Sequence, residues 1–272
     1  MIGSETRLVA IIGSPIAQVK SPDNFNRYFA DARAQRAMIA IDLVPDSVAD
    51  FVLTARGWQN LDGFVVTIPH KREVAGLVDD LSPTAQFLDA ANVVRRHADG
   101  QLYGDMTDGQ GFLKASEAHG FEPAGKTILL VGAGAAGSAI GYALAAAGVS
   151  HLVISDRHED RAADLSARLA AAFPSVMISG GTIPQRAFDL VINASSSGMQ
   201  PDDPLPVPDS TLSLMPSNGL VADVVTSPKL TPLLMLARQR GLNIQTGEEM
   251  AKAQLFALAE AMGVIEGEPS DV

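Results

Sequence analysis

Two sets of residues could carry chemistry. The first is Gly132-Ala-Gly134-Ala-Ala-Gly137, a G-x-G-x-x-G run that follows the apolar stretch Thr127–Val131 and precedes an alanine-rich segment that reads as a helix. In that setting the first glycine permits a tight turn, the second lets a pyrophosphate approach the backbone, and the third packs helix on strand. The helix start, including Ala135 and Ala136, then offers unpaired N–H groups and a positive dipole to phosphate. Without a ligand the same glycines would be only a packing turn. About twenty residues further on stands Ser155-Asp156-Arg157. An acid there hydrogen-bonds the adenosine ribose hydroxyls and repels a 2′-phosphate, whereas Arg157 and Arg161 could clamp one. NAD is the favoured cofactor and NADP the alternative; as a plain structural element, Asp156 would be a helix cap beside exposed arginines.

The second set is a lysine and an aspartate. Lys71 follows Thr67-Ile-Pro-His70, and Asp108 lies in Gly104-Asp-Met-Thr-Asp-Gly109. Taking a hydride from an alcohol requires a group to accept the hydroxyl proton and a dipole to hold the resulting carbonyl. Taken singly, each of these two is the kind of charge that more often faces solvent.

The elements that must position these residues alternate between strand and helix. Leu8–Ile12, Met38–Leu43 and Gly63–Ile68 read as strands, with helices between them. Ser21-Pro22 reads as an N-cap and first helical position. His97-Ala-Asp-Gly100 between Val93-Val94 and Leu102-Tyr103 reads as a hairpin, and Thr107 as the cap of a helix to about His119, stopped by Gly120. A second series follows: strands at 127–131, 151–155, 188–192 and 220–225, a helix opened by Thr231-Pro232, and a last helix from about Glu248 to Met262. The expected fold is α/β with two parallel, mostly open sheets. An N-terminal α/β substrate domain, 1–112, is followed by a Rossmann-type doubly wound domain, 113–246, and a C-terminal segment, 247–272, packs back on the first.

Composition narrows the function. A net charge of −11 over 272 residues repels phosphate backbones, so nucleic acid is not an expected partner. Cysteine is absent, which removes disulfides and thiolate sites. His70, His97, His119, His151 and His158 are dispersed without metal-ligand spacing, so no metal is expected. Ser195-Ser-Ser197 lacks the G-x-S-x-G frame of a hydrolase. The uncharged stretch Ile128–Ser150 is long enough to span a membrane, but its clustered glycines fit strand, turn and helix better. Met1–Arg7 carries charge and no long apolar run, so a cytoplasmic protein is expected. A homodimer is left open.

Ordered blocks extend these motifs. Gly13-Ser-Pro-Ile16 with Ser21-Pro22, Val66-Thr-Ile-Pro-His-Lys71, Ala91-Asn92, Thr107-Asp-Gly109 with Gly111, the glycine run, Asn193-Ala194, Gly198-Met199, Asp223, Pro228 with Thr231-Pro232, and Gly247 with Met250 and Gln254 occur in sequence. From about Val9 to Gln254 the chain resembles the shikimate dehydrogenase family. The resemblance implies that Lys71 and Asp108 are the catalytic pair, that Asn92 and Gln254 hold substrate hydroxyls, and that Thr67 and Ser21 touch substrate. Ala194, Ser195, Val224, Gly247 and Met250 would lie on the cofactor side. The implied reaction is reversible hydride transfer between NAD(P) and the C3 hydroxyl of shikimate or a relative such as quinate, within aromatic amino acid biosynthesis. As a base Lys71 must first lose a proton; charged, it would instead stabilise the developing alkoxide.

The resemblance breaks at several substrate positions. Val19 and Val65 stand where the family usually has a serine and an asparagine; Val93, Met106 and Thr226 stand where it has threonine, asparagine and tyrosine. A site loses on the order of 1–3 kcal/mol for each hydrogen-bond partner removed. The hydroxyl-handling chemistry is intact while the grip on a carboxylate is weakened, with Lys20 a candidate replacement charge or simply an exposed loop lysine. The expected small-molecule partner is therefore a cyclic hydroxy acid or a less polar ring alcohol. A cofactor-binding sensor or scaffold without turnover is the alternative of a different class.

Overall fold

The computed structural model describes residues 2–17, 19–200 and 202–265. The chain divides into two compact units, Met1–Thr107 with Leu255–Val272, and Asp108–Gln254. The sequence predicts the first break at 112/113. It falls earlier because the helix Asp108–Glu117 packs closely on the helix Ala135–Ala146: a Cβ on Gly109 would sit 2.7 Å from the Ala143 Cβ. The second break falls later than 246/247, at 254/255, inside the helix Gly247–Ala261. Of the predicted segment 247–272, residues 266–272 lie outside the described residues.

The first unit is built on β1 (Arg7–Gly13), β2 (Arg36–Asp42), β3 (Leu61–Val66), β4 (Asp80–Leu81), β5 (Val93–Arg96) and β6 (Leu102–Asp105), in the spatial order β2-β1-β3-β5-β6-β4. The sheet is parallel-rich but mixed, the antiparallel pairs lying where the hairpin at His97–Gly100 is expected. β1 runs parallel to β2 and β3, but β5 is antiparallel to both β3 and β6. The short His97–Gly100 connection allows only a hairpin, since a parallel crossover needs a dozen or more residues. Alternate residues serve opposite faces, as the two-residue period of a strand requires. Val9, Ile11, Val65 and Val93 pack with Phe25, Phe29, Leu258 and Met262 on one face. Ala10, Ile12, Phe64, Val66 and Val94 pack with Val48, Val52 and Ala55 on the other.

The second unit is built on β7 (Thr127–Val131), β8 (His151–Ser155), β9 (Met177–Gly180), β10 (Leu190–Asn193), β11 (Leu220–Asp223) and β12 (Asn243–Gln245). Their order is β12-β11-β10-β7-β8-β9 and every pairing is parallel. The chain works outward from β7 in one direction and then from β10 in the other. That is the doubly wound order of a Rossmann fold, with its switch point between β7 and β10. Buried on both faces, β7, β8 and β10 read as near-continuous apolar runs, which is why the sequence finds them. β9 and β12 are edge strands with weak apolar signal, β9 largely exposed, and the sequence does not reveal them. No helix among the described residues is long and apolar enough to cross a membrane.

Candidate active site and dinucleotide site

In the second unit the predicted cofactor residues gather at the C-terminal ends of the parallel strands. Gly132 takes φ +105° directly after β7, and a Cβ there would lie 2.7 Å from the Ala194 carbonyl carbon. Only glycine allows that approach between the loops after β7 and β10. A Cβ on Gly137 would collide with the Gly132 carbonyl oxygen, so this glycine seats the helix on the turn. Gly134 has nothing within 4 Å of its Cβ position and Ala135 is exposed. The first turn of the helix Ala135–Ala146, Ala136 included, thus opens on free space, as a pyrophosphate needs.

Asp156 follows β8. Its Oδ2 accepts the Ala133 N–H at 2.7 Å and its Oδ1 accepts the His158 N–H at 2.8 Å. Burial works to raise the carboxyl, but these two donors and the nearby Arg161 outweigh it and hold the group below the usual aspartate range. Asp156 is therefore a carboxylate tied to the glycine turn. Arg157 and Arg161 are exposed.

Beyond β10, the Ser195 N–H and hydroxyl both donate to Asn193 Oδ1, at 3.1 and 2.6 Å, and the Ala194 N–H donates to the Val131 carbonyl at 2.7 Å. Asn193 in turn donates to Asp223 at 3.0 Å, and Asp223 also accepts the Thr231 hydroxyl at 2.7 Å and the Val225 N–H at 3.0 Å. Burial pushes the Asp223 carboxyl above its ordinary range, partly offset by these donors. The network joins the loops after β10 and β11, and the sequence shows only its members, not their connection. Asp223→Ala strands three buried donors and should cost about 2–4 kcal/mol in a urea or thermal melt. A loss under about 1 kcal/mol would mean the donors find other partners.

Val224 is half-buried, and its N–H donates to the Asn193 carbonyl at 3.0 Å. A Cβ on Gly247 would lie 2.6 Å from the Val224 carbonyl oxygen. Gly247 opens the helix that carries Met250, which is buried, and Gln254. Its start is a reciprocal cap that the pattern Thr246-Gly-Glu-Glu249 could have signalled. Glu249 Oε2 accepts the Thr246 N–H at 2.7 Å, and Thr246 Oγ1 accepts the Glu249 N–H at 3.3 Å. Asp108 is only 6% exposed, at the first position of its helix, and the Gln254 side-chain amide donates to its Oδ1. Thr226 is exposed. A cavity of about 460 Å³ in this unit, lined by His119, Lys229, Arg238 and Lys252 among others, includes none of the candidate residues.

In the first unit, Asn92 is buried just before β5; its Oδ1 accepts the Thr107 N–H at 2.9 Å and its amide lies 3.3 Å from the Thr107 hydroxyl. That fixes the residue preceding Asp108 and occupies the threonine predicted to be a helix cap. Lys71 begins the helix Lys71–Ala75, half-buried, and its carbonyl accepts the Ala91 N–H at 2.9 Å. Thr67 is half-buried at the end of β3, its methyl facing the Gly13 Cα. Ser21 is the first residue of the helix Ser21–Asp31, not its cap: Lys20, exposed, takes that place without a side-chain bond. Val19 and Val65 belong to the apolar cluster of this unit rather than to any polar group. The predicted residues thus form Asn92–Thr107 in one unit and Asp108–Gln254 in the other, with Lys71 in the first unit and Asp108 in the second. Among the described residues no three His, Cys, Asp or Glu side chains gather to hold a metal.

Known proteins match both units. A family model described as the shikimate dehydrogenase substrate binding domain covers residues 11–94, and one described as shikimate / quinate 5-dehydrogenase covers 114–200. A shikimate dehydrogenase (NADP(+)) of Rubrobacter xylanophilus is 38% identical over 277 aligned positions, spanning 100% of this chain and 94% of that protein. The ligand-free 5-ketofructose reductase of Gluconobacter sp. strain CHM43 superposes with a TM-score of 0.87 at 28% identity, covering 95% of this chain and 93% of the other. Shikimate 5-dehydrogenase from Listeria monocytogenes, in complex with shikimate and NAD, gives 0.85 at 26% identity, covering 97% and 92%. The Rubrobacter name specifies NADP(+), against the NAD expected from the sequence at Asp156, while the Listeria structure holds NAD; what they share is a nicotinamide dinucleotide. Identity at this level across the whole chain, on top of the glycine turn and the Rossmann strand order, places the chain in the shikimate dehydrogenase family, NAD(P)-dependent oxidoreductases acting on a CH–OH group.

Proposed function

We propose that this chain reversibly oxidises the C3 hydroxyl of shikimate, or of a close cyclic relative such as quinate, with NAD(P) as hydride partner. The observation that carries the reading is Asp108, a nearly buried carboxylate held by the Gln254 amide. Such a fixed acceptor can orient a hydroxyl without reorganising during the reaction. Lys71 takes the hydroxyl proton or, kept charged, stabilises the alkoxide. Asn92 and Gln254 bind ring hydroxyls, Thr67 adds a contact, and Ser21 and Lys20 face the carboxylate. The first unit is the substrate domain and the second the dinucleotide domain. Bound nicotinamide would supply the hydride acceptor or donor; Gly132, Gly134, Gly137, Asp156 and the Ala194–Ser195 loop would hold the dinucleotide.

The cofactor preference is for NAD over NADP, supported by the ionised Asp156 at the end of β8. The Rubrobacter relative's name supports NADP instead, and the exposed Arg157 and Arg161 could serve it. Asp156→Ser should shift the ratio of kcat/KM values toward NADP by about tenfold or more, the weight of one lost charge repulsion of roughly 1.4 kcal/mol. A wild-type enzyme that prefers NADP overturns the assignment.

A second substrate reading draws on the apolar surroundings of Val19, Val65 and Val93, which pack in one cluster with Tyr28 and Leu255. That favours a ring alcohol less polar than shikimate, handled by the same Lys–Asp pair. A spectrophotometric screen separates the readings: purified protein with NAD or NADP against shikimate, quinate and a panel of cyclic alcohols. Shikimate turnover supports the first reading, and turnover of a less polar alcohol alone supports the second. No turnover of any, with cofactor still bound, points to a sensor or scaffold.

A further inference from the structure

We infer that His70 is a positioning residue for Lys71, an inference that rests on the catalytic role proposed for that lysine. His70 is 1% exposed, and its Nε2 lies 2.6 Å from the Leu43 carbonyl oxygen. A carbonyl only accepts, so Nε2 carries the ring proton and donates it. Nδ1 is buried with no hydrogen-bond partner among the described residues. A buried polar atom left unpaired is unfavourable, so the imidazole is placed for the Leu43 bond and not for a second one. An apolar ring would fill the same space without that cost, and only the donor explains a histidine here.

The bond joins segments that the sheet itself cannot join. β2 and β3 flank β1 and do not pair with each other. Leu43 directly follows β2, and His70 lies in the turn after β3. At the end of β1, the Leu43 N–H donates to the Gly13 carbonyl at 3.0 Å, the Ser14 N–H donates to the Ile68 carbonyl at 3.1 Å, and the Thr67 N–H donates to the Ile12 carbonyl at 3.0 Å. His70 closes this ring from β3 to β2 across the glycine that ends β1. Its own N–H donates to the Thr67 carbonyl at 3.1 Å, and its carbonyl accepts the Val74 N–H at 2.9 Å, so the residue is both the close of the turn and the start of the Lys71–Ala75 helix. Fixing the imidazole therefore fixes the residue that caps that helix, one position before Lys71. Losing the donor would let the turn shift and misplace the lysine amine, and misplacement of about 1 Å can cost on the order of a hundredfold in rate.

Three variants of the full chain test this. His70→Phe keeps the ring and loses the donor, His70→Gln keeps an N–H at the reach of Nε2, and His70→Asn holds one too short to reach Leu43. Steady-state kinetics use whichever substrate the wild type turns over, and amide hydrogen exchange over residues 67–75 is followed by mass spectrometry. His70→Phe should lower kcat about tenfold or more with KM changed less than about threefold, raise the deuterium isotope effect on kcat, and speed exchange in 67–75. His70→Asn should follow it, and His70→Gln should remain near wild type in both readouts. Should the phenylalanine variant fail to fold, the glutamine–asparagine contrast decides alone. Full kcat in His70→Phe, unchanged exchange, or equal impairment of the glutamine and asparagine variants overturns the inference. A wild type without turnover overturns the dehydrogenase reading instead, while the exchange arm still decides whether His70 holds the turn.

Discussion

Lys71→Met should lower kcat by about three orders of magnitude, the range expected for a general base or a fixed alkoxide-stabilising charge, which corresponds to roughly 4 kcal/mol of barrier. Methionine preserves most of the side-chain length and removes only the amine, so the half-buried stem keeps its packing. KM should change little if the amine acts mainly in the transition state, and the melting temperature should hold, because the backbone bond from Ala91 to the Lys71 carbonyl is untouched. Lys71→Arg separates the two roles. Arginine cannot act as a base but retains charge, so activity near the methionine level assigns proton transfer, and substantial recovery assigns electrostatic stabilisation. Turnover of Lys71→Met within a few-fold of wild type would remove the lysine from the mechanism altogether.

Gly134→Val should weaken NAD(P)H binding by about a hundredfold, near 2.7 kcal/mol, with little loss of fold stability. Nothing lies within 4 Å of the Cβ position at Gly134, and its φ of −80° with ψ of −166° is extended backbone that valine tolerates. The added Cβ therefore has room, and the side chain projects into the space assigned to the pyrophosphate. Gly137→Val is the contrasting case: its Cβ would collide with the Gly132 carbonyl, so it should lose binding and melt earlier together. Cofactor fluorescence titration alongside thermal melts reads both quantities. Unchanged affinity in Gly134→Val would place the phosphates elsewhere and leave the glycine run as a packing turn.

Some elements announce themselves through local chemistry. Thr231-Pro232 predicts a helix start, and the Thr231 hydroxyl accepts the Leu234 N–H there as its cap. The glycine run predicts strand, turn and helix because its conformational demands lie within six consecutive residues. Ser21 fails as a cap although its type and its following proline are right, because Lys20 already has helical φ and ψ. The mixed first sheet follows from the hairpin at His97–Gly100 once the short loop is given its full consequence for strand direction.

By itself, then, the chain specifies the second unit's apolar strands β7, β8, β10 and β11, the glycine turn after β7 and the residue types able to move a proton, because each depends on neighbours close in sequence and on a hydrophobic period. Only the tertiary structure decides that Asn193 reaches Asp223, that Gln254 holds Asp108, and that His70 bonds Leu43. Those partners are 30, 146 and 27 residues apart. No local propensity encodes such pairings; they arise because buried polar groups must find hydrogen-bond partners among whatever the fold brings near them, and burial is a property of the assembled unit.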